Sequence, residues 1–304
     1  MDIFITDKEN GISVKELLSS RLKYSSTLIK ALKNSEDGII LNGKRVTVRA
    51  VLKAGDTLSL TERELSAPSE IIPKENSSLL LYEDESVIAF SKPSGIPTHP
   101  SRAHIDDTLA NHAAYIFKKR NERFVFRAVS RLDSDVSGVV LCAKDKLSSQ
   151  RLCSDIANAN IEKTYIAVCD GAPFSAGTSG TVEGYISREE DSIITRKLQN
   201  NGDGAYSKTD YTVLAENGKR SLIEVRPITG RTHQIRLSLA HIGAAISGDG
   251  FYGDENSAPR CMLHAFSVCF THPRTLERII VKAPLFEDMQ AFIKENFGED
   301  LYEF

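Results

Sequence analysis

From Thr61 to Asn76 the chain carries no hydrophobic period: Thr61-Glu62-Arg63-Glu64 leads through Ser66-Ala67-Pro68 to Pro73-Lys74-Glu75-Asn76. A polar stretch with two prolines offers no face to a core, so it splits what can fold into two parts. This places a small unit at residues 1–62, a linker at 63–77 and a larger unit at 78–304. A chain of 304 residues suits one large and one small domain.

The small unit reads as two helices followed by short strands. Ser13-Val14-Lys15-Glu16 has capping-box form. Val14, Leu17, Leu18 and Leu22 then follow helical spacing. Ser25 caps a second helix carrying Leu28, Ile29 and Leu32, which Asp37-Gly38 ends. Ile39-Ile40-Leu41, the Asn42-Gly43 turn and Arg45-Val46 read as a hairpin, and Ala54-Gly55-Asp56 turns into Thr57–Leu60. Between Lys15 and Lys53 nine basic residues (Lys15, Arg21, Lys23, Lys30, Lys33, Lys44, Arg45, Arg49, Lys53) face three acidic ones (Glu16, Glu36, Asp37), in a chain whose net charge is −3. Such a surplus is either a solvated face or a phosphate-binding patch.

The larger unit alternates strand and helix signals. Val87–Phe90, Phe124–Val129, Val139–Ala143, Thr164–Val168, Ser207–Leu214, Ser221–Val225, Leu263–Phe270 and Ile279–Val281 read as strands. Thr108–Lys119, Leu147–Ala159, Thr232–Ile242 and Glu287–Phe297 read as helices. Asn217-Gly218 is a hairpin signal. Hairpin-linked strands with interspersed helices predict an α+β fold on a mostly antiparallel, mixed sheet.

Five cysteines, Cys142, Cys153, Cys169, Cys261 and Cys269, form no C-x-x-C pair, which predicts reduced thiols and a cytoplasmic setting. Met1-Asp2-Ile3-Phe4 does not begin a basic and then apolar leader, and no apolar run approaches about 18 residues, so no membrane span is expected.

Two segments carry ionisable groups in loops beside apolar runs, where reactive side chains tend to sit. One is Ser130-Arg131-Leu132-Asp133 leading to Ser137-Gly138; the other is Gly230-Arg231-Thr232-His233-Gln234-Ile235-Arg236. Asp133 is either a turn acceptor or an ionised reactive group. Arg231 precedes a helix, whose first amides favour anions, and is placed to hold a carboxylate such as Asp133 ionised. His233 and His241, eight residues apart, read as hydrogen-bonding rather than metal-ligating residues. Tyr165 is either a core tyrosine or a ring lining a pocket. Gly202-Asp203-Gly204 lacks the strand-to-helix context of a dinucleotide loop, and Gly248-Asp249-Gly250 reads as a turn.

These segments resemble the RluA-type pseudouridine synthases. Arg131-Leu132-Asp133 with Ser137-Gly138 is similar to the family's aspartate motif, Lys163-Thr164-Tyr165 to its tyrosine segment, and Gly230–Arg236 with Ala240–Gly243 and Gly248-Asp249 to its third motif. Lys92-Pro93-Ser94-Gly95 with Thr98-His99-Pro100, and Leu263-His264-Ala265 with Thr271-His272-Pro273, also resemble family segments. Residues 12–60 resemble the S-four-type RNA-binding module often fused ahead of this enzyme. The resemblance implies an isomerase without cofactor or metal that converts uridine to pseudouridine in ribosomal or transfer RNA. It implies Asp133 as the essential carboxylate, Tyr165 as a catalytic residue that stacks on the base and assists proton transfer, Arg231 pairing with Asp133 and Arg131 reaching into the RNA. Arg21, Lys23, Lys30, Lys44, Arg45 and Arg236 are the further RNA-binding candidates, and a monomer is expected. Ser130, Ser134, Val136 and Ser238 depart from the commonest residues of that pattern and bear on target choice. Competing readings are a non-catalytic RNA-binding or assembly factor on the same scaffold, and a metal-dependent hydrolase using His233, His241 and Asp249.

Overall fold

The computed structural model describes residues 2–22, 24, 26–61, 71–171, 173–189, 192, 194–202 and 204–298. Lys23, the Ser25 cap, the first part of the expected linker and Asp203 lie outside the described residues, as does the Leu28 side chain.

The N-terminal part is a small domain. It comprises β1 (Asp2–Phe4), α1 (Val14–Glu16) running into a π-helical turn at Leu17–Arg21, α2 (Ser26–Asn34), β2 (Ile39–Leu41), β3 (Lys44–Arg45) and β4 (Thr57–Leu60). The strands form one sheet in the order β1-β4-β2-β3. Ser13 caps α1, its Oγ accepting from Glu16 N at 3.2 Å. Asn42 and Gly43 take positive φ of 52° and 77°, the conformation a two-residue hairpin turn requires. Val14, Leu17, Leu18, Leu32, Leu52 and Leu58 form the core, into which Leu147 also packs.

The larger part holds β5 (Leu79–Glu83), β6 (Val87–Lys92), α3 (Leu109–Lys119), β7 (Ser137–Ala143), α4 (Lys146–Ala157), β8 (Glu162–Asp170), β9 (Ser179–Arg188), β10 (Arg196–Gln199), β11 (Ala205–Glu216), β12 (Arg220–Pro227), α5 (Gln234–His241), β13 (Leu263–Thr271), β14 (Arg278–Lys282) and α6 (Glu287–Phe297). One mixed sheet runs β10-β9-β11-β12-β8-β13-β7-β6-β5, with β14 on β13. Among the described pairings only β13 with β7 is parallel. The expected α+β, mostly antiparallel architecture is therefore the observed one.

The central strands β6 and β7 are buried along their whole length, which matches their continuous apolar runs. The close approach of β7 to β13 needs Gly138. Its φ is 118°, and a Cβ there would meet Ala265 O at 2.3 Å and Ala265 N at 2.5 Å. Beside it Ser137 Oγ and His264 Nδ1 are 2.9 Å apart, and His264 Nε2 donates to Ala283 O at 3.0 Å. Burial pulls the His264 pKa down to about 4, so the ring is a neutral strut between strands.

Two expectations change. Phe124–Val129 is not a strand; it contacts β7 through a single bridge, Ala128 with Cys142. Residues 71–76 are fastened to α3: Asn111 Nδ2 donates to Ile72 O at 2.8 Å, and Asn76 N donates to His112 Nδ1 at 3.0 Å.

Candidate active site

The Asp133 loop enters β7 and is held from beneath by the segment after β6. Gly95 N donates to Ser134 O at 2.8 Å, and Ser94 Oγ to Asp135 O at 2.7 Å. Thr98 Oγ1 donates to Leu132 O at 3.0 Å and accepts from Leu132 N at 3.2 Å. Lys92, fully buried, donates to Ile96 O at 2.7 Å, Pro93 O at 2.9 Å and Ser134 O at 3.3 Å. Burial pulls the Lys92 pKa down to about 7, opposed by the charges of Asp135 and Asp133. The backbone on both sides of Asp133 is thus tied down at Leu132, Ser134 and Asp135, and this fixes where the Asp133 side chain emerges.

That side chain lines a cavity of about 450 Å³ with His99, Arg131, Lys163, Tyr165, Arg231 and His233 among its walls. Asp133 is 38% exposed. Tyr165 lies on β8, paired in register with Val225 of β12 and Ala265 of β13. Burial pushes its phenol well above the ordinary value and the charge of Asp133 adds to this, so the ring keeps its proton. Burial also lowers the pKa of Lys163, and of His99, where the charge of Arg131 adds to it.

The cation beside Asp133 is Arg236. Its Nη1 is 3.8 Å from Asp133 Oδ2 and 2.9 Å from Asp135 Oδ2. Its Nε donates to Asp249 Oδ2 at 2.7 Å and its Nη2 to Asp249 Oδ1. Asp249 is wholly buried and its Oδ1 also accepts from Phe251 N at 2.8 Å. Burial would lower the Arg236 pKa, but the Asp249 hydrogen bonds and the surrounding acidic groups hold it above its ordinary value. The guanidinium also lies 4.8 Å from the centre of the Phe251 ring.

Two expectations on the third motif therefore fail. Arg231 does not pair with Asp133: its side chain is exposed at the cavity wall and its Nε donates to Tyr206 O at 2.9 Å. Arg236, 1% exposed and bound to carboxylates, is inaccessible to an RNA phosphate. The helix also starts later than expected, at Gln234. Gln234 Oε1 accepts from Arg231 N at 3.0 Å and from Thr229 Oγ1 at 2.7 Å, so it takes up the amide that would have faced an anion.

Arg131 is exposed at the cavity. Arg21, Lys30, Lys44 and Arg45 are exposed on the small domain, far along the chain from these segments. Sequence reasoning missed Asp135 and Tyr252 as parts of the site, and it named Lys92 and Asp249 only within family-like segments or as a metal ligand, not as the groups that hold the Asp133 loop and Arg236. Among the described residues no three His, Cys, Asp or Glu side chains gather as a metal site, and Asp249 is already engaged by Arg236. No described helix is long and apolar enough to cross a membrane.

The profile of the RNA pseudouridylate synthase family matches residues 86–241. A Bacillus subtilis protein named as the uncharacterized RNA pseudouridine synthase YhcT is 33% identical over 98% of this chain and 98% of its own. The ribosomal large subunit pseudouridine synthase D of Xanthomonas campestris is 32% identical over 83% of this chain and 78% of its own. Among solved structures, Human RNA Pseudouridylate Synthase Domain Containing 1 matches with a TM-score of 0.58 at 24% identity, covering 71% of this chain and 87% of that one. At that identity the likeness is one of fold.

Proposed function

Because this chain belongs to the RNA pseudouridylate synthase family, we propose that Asp133 is the essential carboxylate with which it isomerises uridine in structured RNA. The enzyme is an RNA pseudouridine synthase. The rearrangement it performs balances within the substrate. The bond from ribose C1′ to uracil N1 breaks, the base turns, and C1′ joins C5. C5 loses a hydrogen and N1 gains one, so no oxidant or co-reactant enters.

The observation that carries the proposal is the shared cavity of Asp133 and Tyr165. A uracil must leave its stack to reach it, at a cost of a few kcal/mol. Tyr165, kept protonated by burial, serves as a stacking surface rather than a base. Asp133 is the carboxylate that lines this cavity and is the group placed for covalent or proton work. Arg131, exposed at the cavity, reaches into the RNA and fills the space the base leaves. Arg231 joins the wall of the site rather than the ion pair.

The small domain supplies phosphate contacts through Arg21, Lys23, Lys30, Lys44 and Arg45, in the manner of an S-four-type module spanning residues 1–62. The synthase unit occupies 78–304. Ribosomal RNA is the favoured target, since relatives are named for the large ribosomal subunit, with transfer RNA as the other class. Free and mostly buried cysteines fit a cytoplasmic setting. Mapping pseudouridines in ribosomal and transfer RNA from cells with and without this chain tests the reading. One or a few sites should disappear without it and return with the wild type but not with Asp133→Asn; an unchanged map would refute it.

A further inference from the structure

His233 precedes α5 in a left-handed backbone conformation, φ 57°. Its ring stacks on Phe251 with 17° between planes and 5.3 Å between centres. Nδ1 lies 2.8 Å from Tyr252 Oη, and the other nitrogen, Nε2, lies 3.8 Å from Asp133 Oδ2. The ring therefore bridges Tyr252 and the proposed catalytic carboxylate.

Its tautomer follows from the partners. Arg196 N, in β10, donates to Tyr252 Oη at 2.9 Å. A phenol has one proton to give. Among the described residues, the acceptor in reach of that oxygen is His233 Nδ1. Tyr252 thus donates to Nδ1, and the neutral ring carries its hydrogen on Nε2, facing Asp133. The opposite tautomer would aim a lone pair at a carboxylate. Arg236 Nη1 approaches the same oxygen, Oδ2, at 3.8 Å. Both closest approaches are thus to Oδ2, and among the described residues Oδ1 accepts no hydrogen bond.

We propose that His233, fixed as the Nε2–H tautomer by the Arg196 backbone and Tyr252, is a positioning residue that acts with Arg236 on Oδ2 and leaves Oδ1 as the reacting oxygen of Asp133. The catalytic part of this inference rests on Asp133 being the essential carboxylate. The groups facing the ring agree with a neutral form. Burial lowers its pKa, Asp133 and Asp135 on their loop oppose this, and Arg236 on α5 and Arg196 on β10 reinforce it.

The test uses the full-length enzyme with 15N-labelled histidine. His233, assigned by comparison with His233→Gln, should show a protonated Nε2 and an unprotonated Nδ1. Tyr252→Phe keeps the ring and removes the donor to Nδ1. It should lose the single tautomer and lower kcat about tenfold with KM held within about twofold. It should also move the acid limb of kcat to higher pH, because the neutral ring loses the bond to its lone pair. A protonated Nδ1 in the wild type would overturn the inference. So would Tyr252→Phe with unchanged kcat and pH profile. Activity retained by Asp133→Asn would instead overturn the role of Asp133, while the nitrogen shifts test the tautomer independently.

Discussion

Arg236 reaches Asp133 from a buried platform: Nη1 lies 3.8 Å from Asp133 Oδ2 while Nε and Nη2 are locked on Asp249. The carboxylate at the cavity and the one in the core thus share a single guanidinium. With a buried charge bound on one side and presented on the other, stability and activity should both depend on Arg236.

Asp249→Ala should therefore destabilise the protein by about 3 kcal/mol, since it removes the buried carboxylate bound to Nε and Nη2 and leaves the guanidinium only its pairing with Asp135 and Asp133. Arg231→Ala should change stability by less than about 0.5 kcal/mol, because that side chain is exposed. Urea unfolding of the two variants checks the contrast. Equal losses would contradict the assignment of Arg236 as the paired arginine.

Gly138→Ala should cost about 3 kcal/mol or more, because the added Cβ meets the Ala265 backbone and the φ of 118° is strained for alanine. The same change should lower kcat, since Gly138 follows the Asp133 loop into β7. Unfolding and turnover of the purified variant measure both. A neutral effect on stability would mean that β7 and β13 tolerate separation.

Lys92 gives a pH signature. Its pKa is near 7 in the fold against about 10.4 in an unfolded chain. Between those values the unfolded chain binds more protons, so this group makes stability rise with pH from about 7 to about 10. Below pH 7 that contribution is lost. Lys92→Met should be less stable, with its three carbonyls unmatched, and should show a flatter stability curve over that window. Denaturant midpoints measured at several pH values decide it; parallel curves for the two proteins would count against the burial effect.

Charge reversal at Lys30, Lys44 and Arg45 should weaken RNA binding while leaving kcat within about twofold, because phosphate contacts position the RNA without touching the reacting base. The slope of log affinity against log salt should shrink by about one for each phosphate no longer neutralised. An unchanged slope would return this surface to an ordinary solvated face.

The features legible in the sequence are those set by near neighbours. Asn42-Gly43 and Asn217-Gly218 form their hairpins, and Glu287–Phe297 is a helix over the predicted span. Phe124–Val129 differs from its reading because an apolar run becomes a strand only when a partner lies alongside, and here only Ala128 finds one. The polar, glycine-containing β9 and the short β10 carry too little alternation to be seen. In the site, Asp133 and Tyr165 are legible through resemblance, and they do share a cavity. The choice between Arg231 and Arg236 is not. Five residues apart in one motif, they are distinguished by Asp249, a carboxylate in a turn whose approach to α5 no local pattern reports. Lys92 belongs to a recognisable motif, but only the folded chain shows its ammonium holding the carbonyl of Ser134.

Every conversion of uridine to pseudouridine must expel the hydrogen at C5, so its release reads the proposed role of Asp133 at the reacting atom. RNA from cells lacking this chain, tritiated at uracil C5, is incubated with wild-type protein and with Asp133→Asn. The wild type should release tritium and the variant none above background, with RNA affinity within about twofold, since phosphate contacts carry most of it. Release by Asp133→Asn at the wild-type rate would contradict that role.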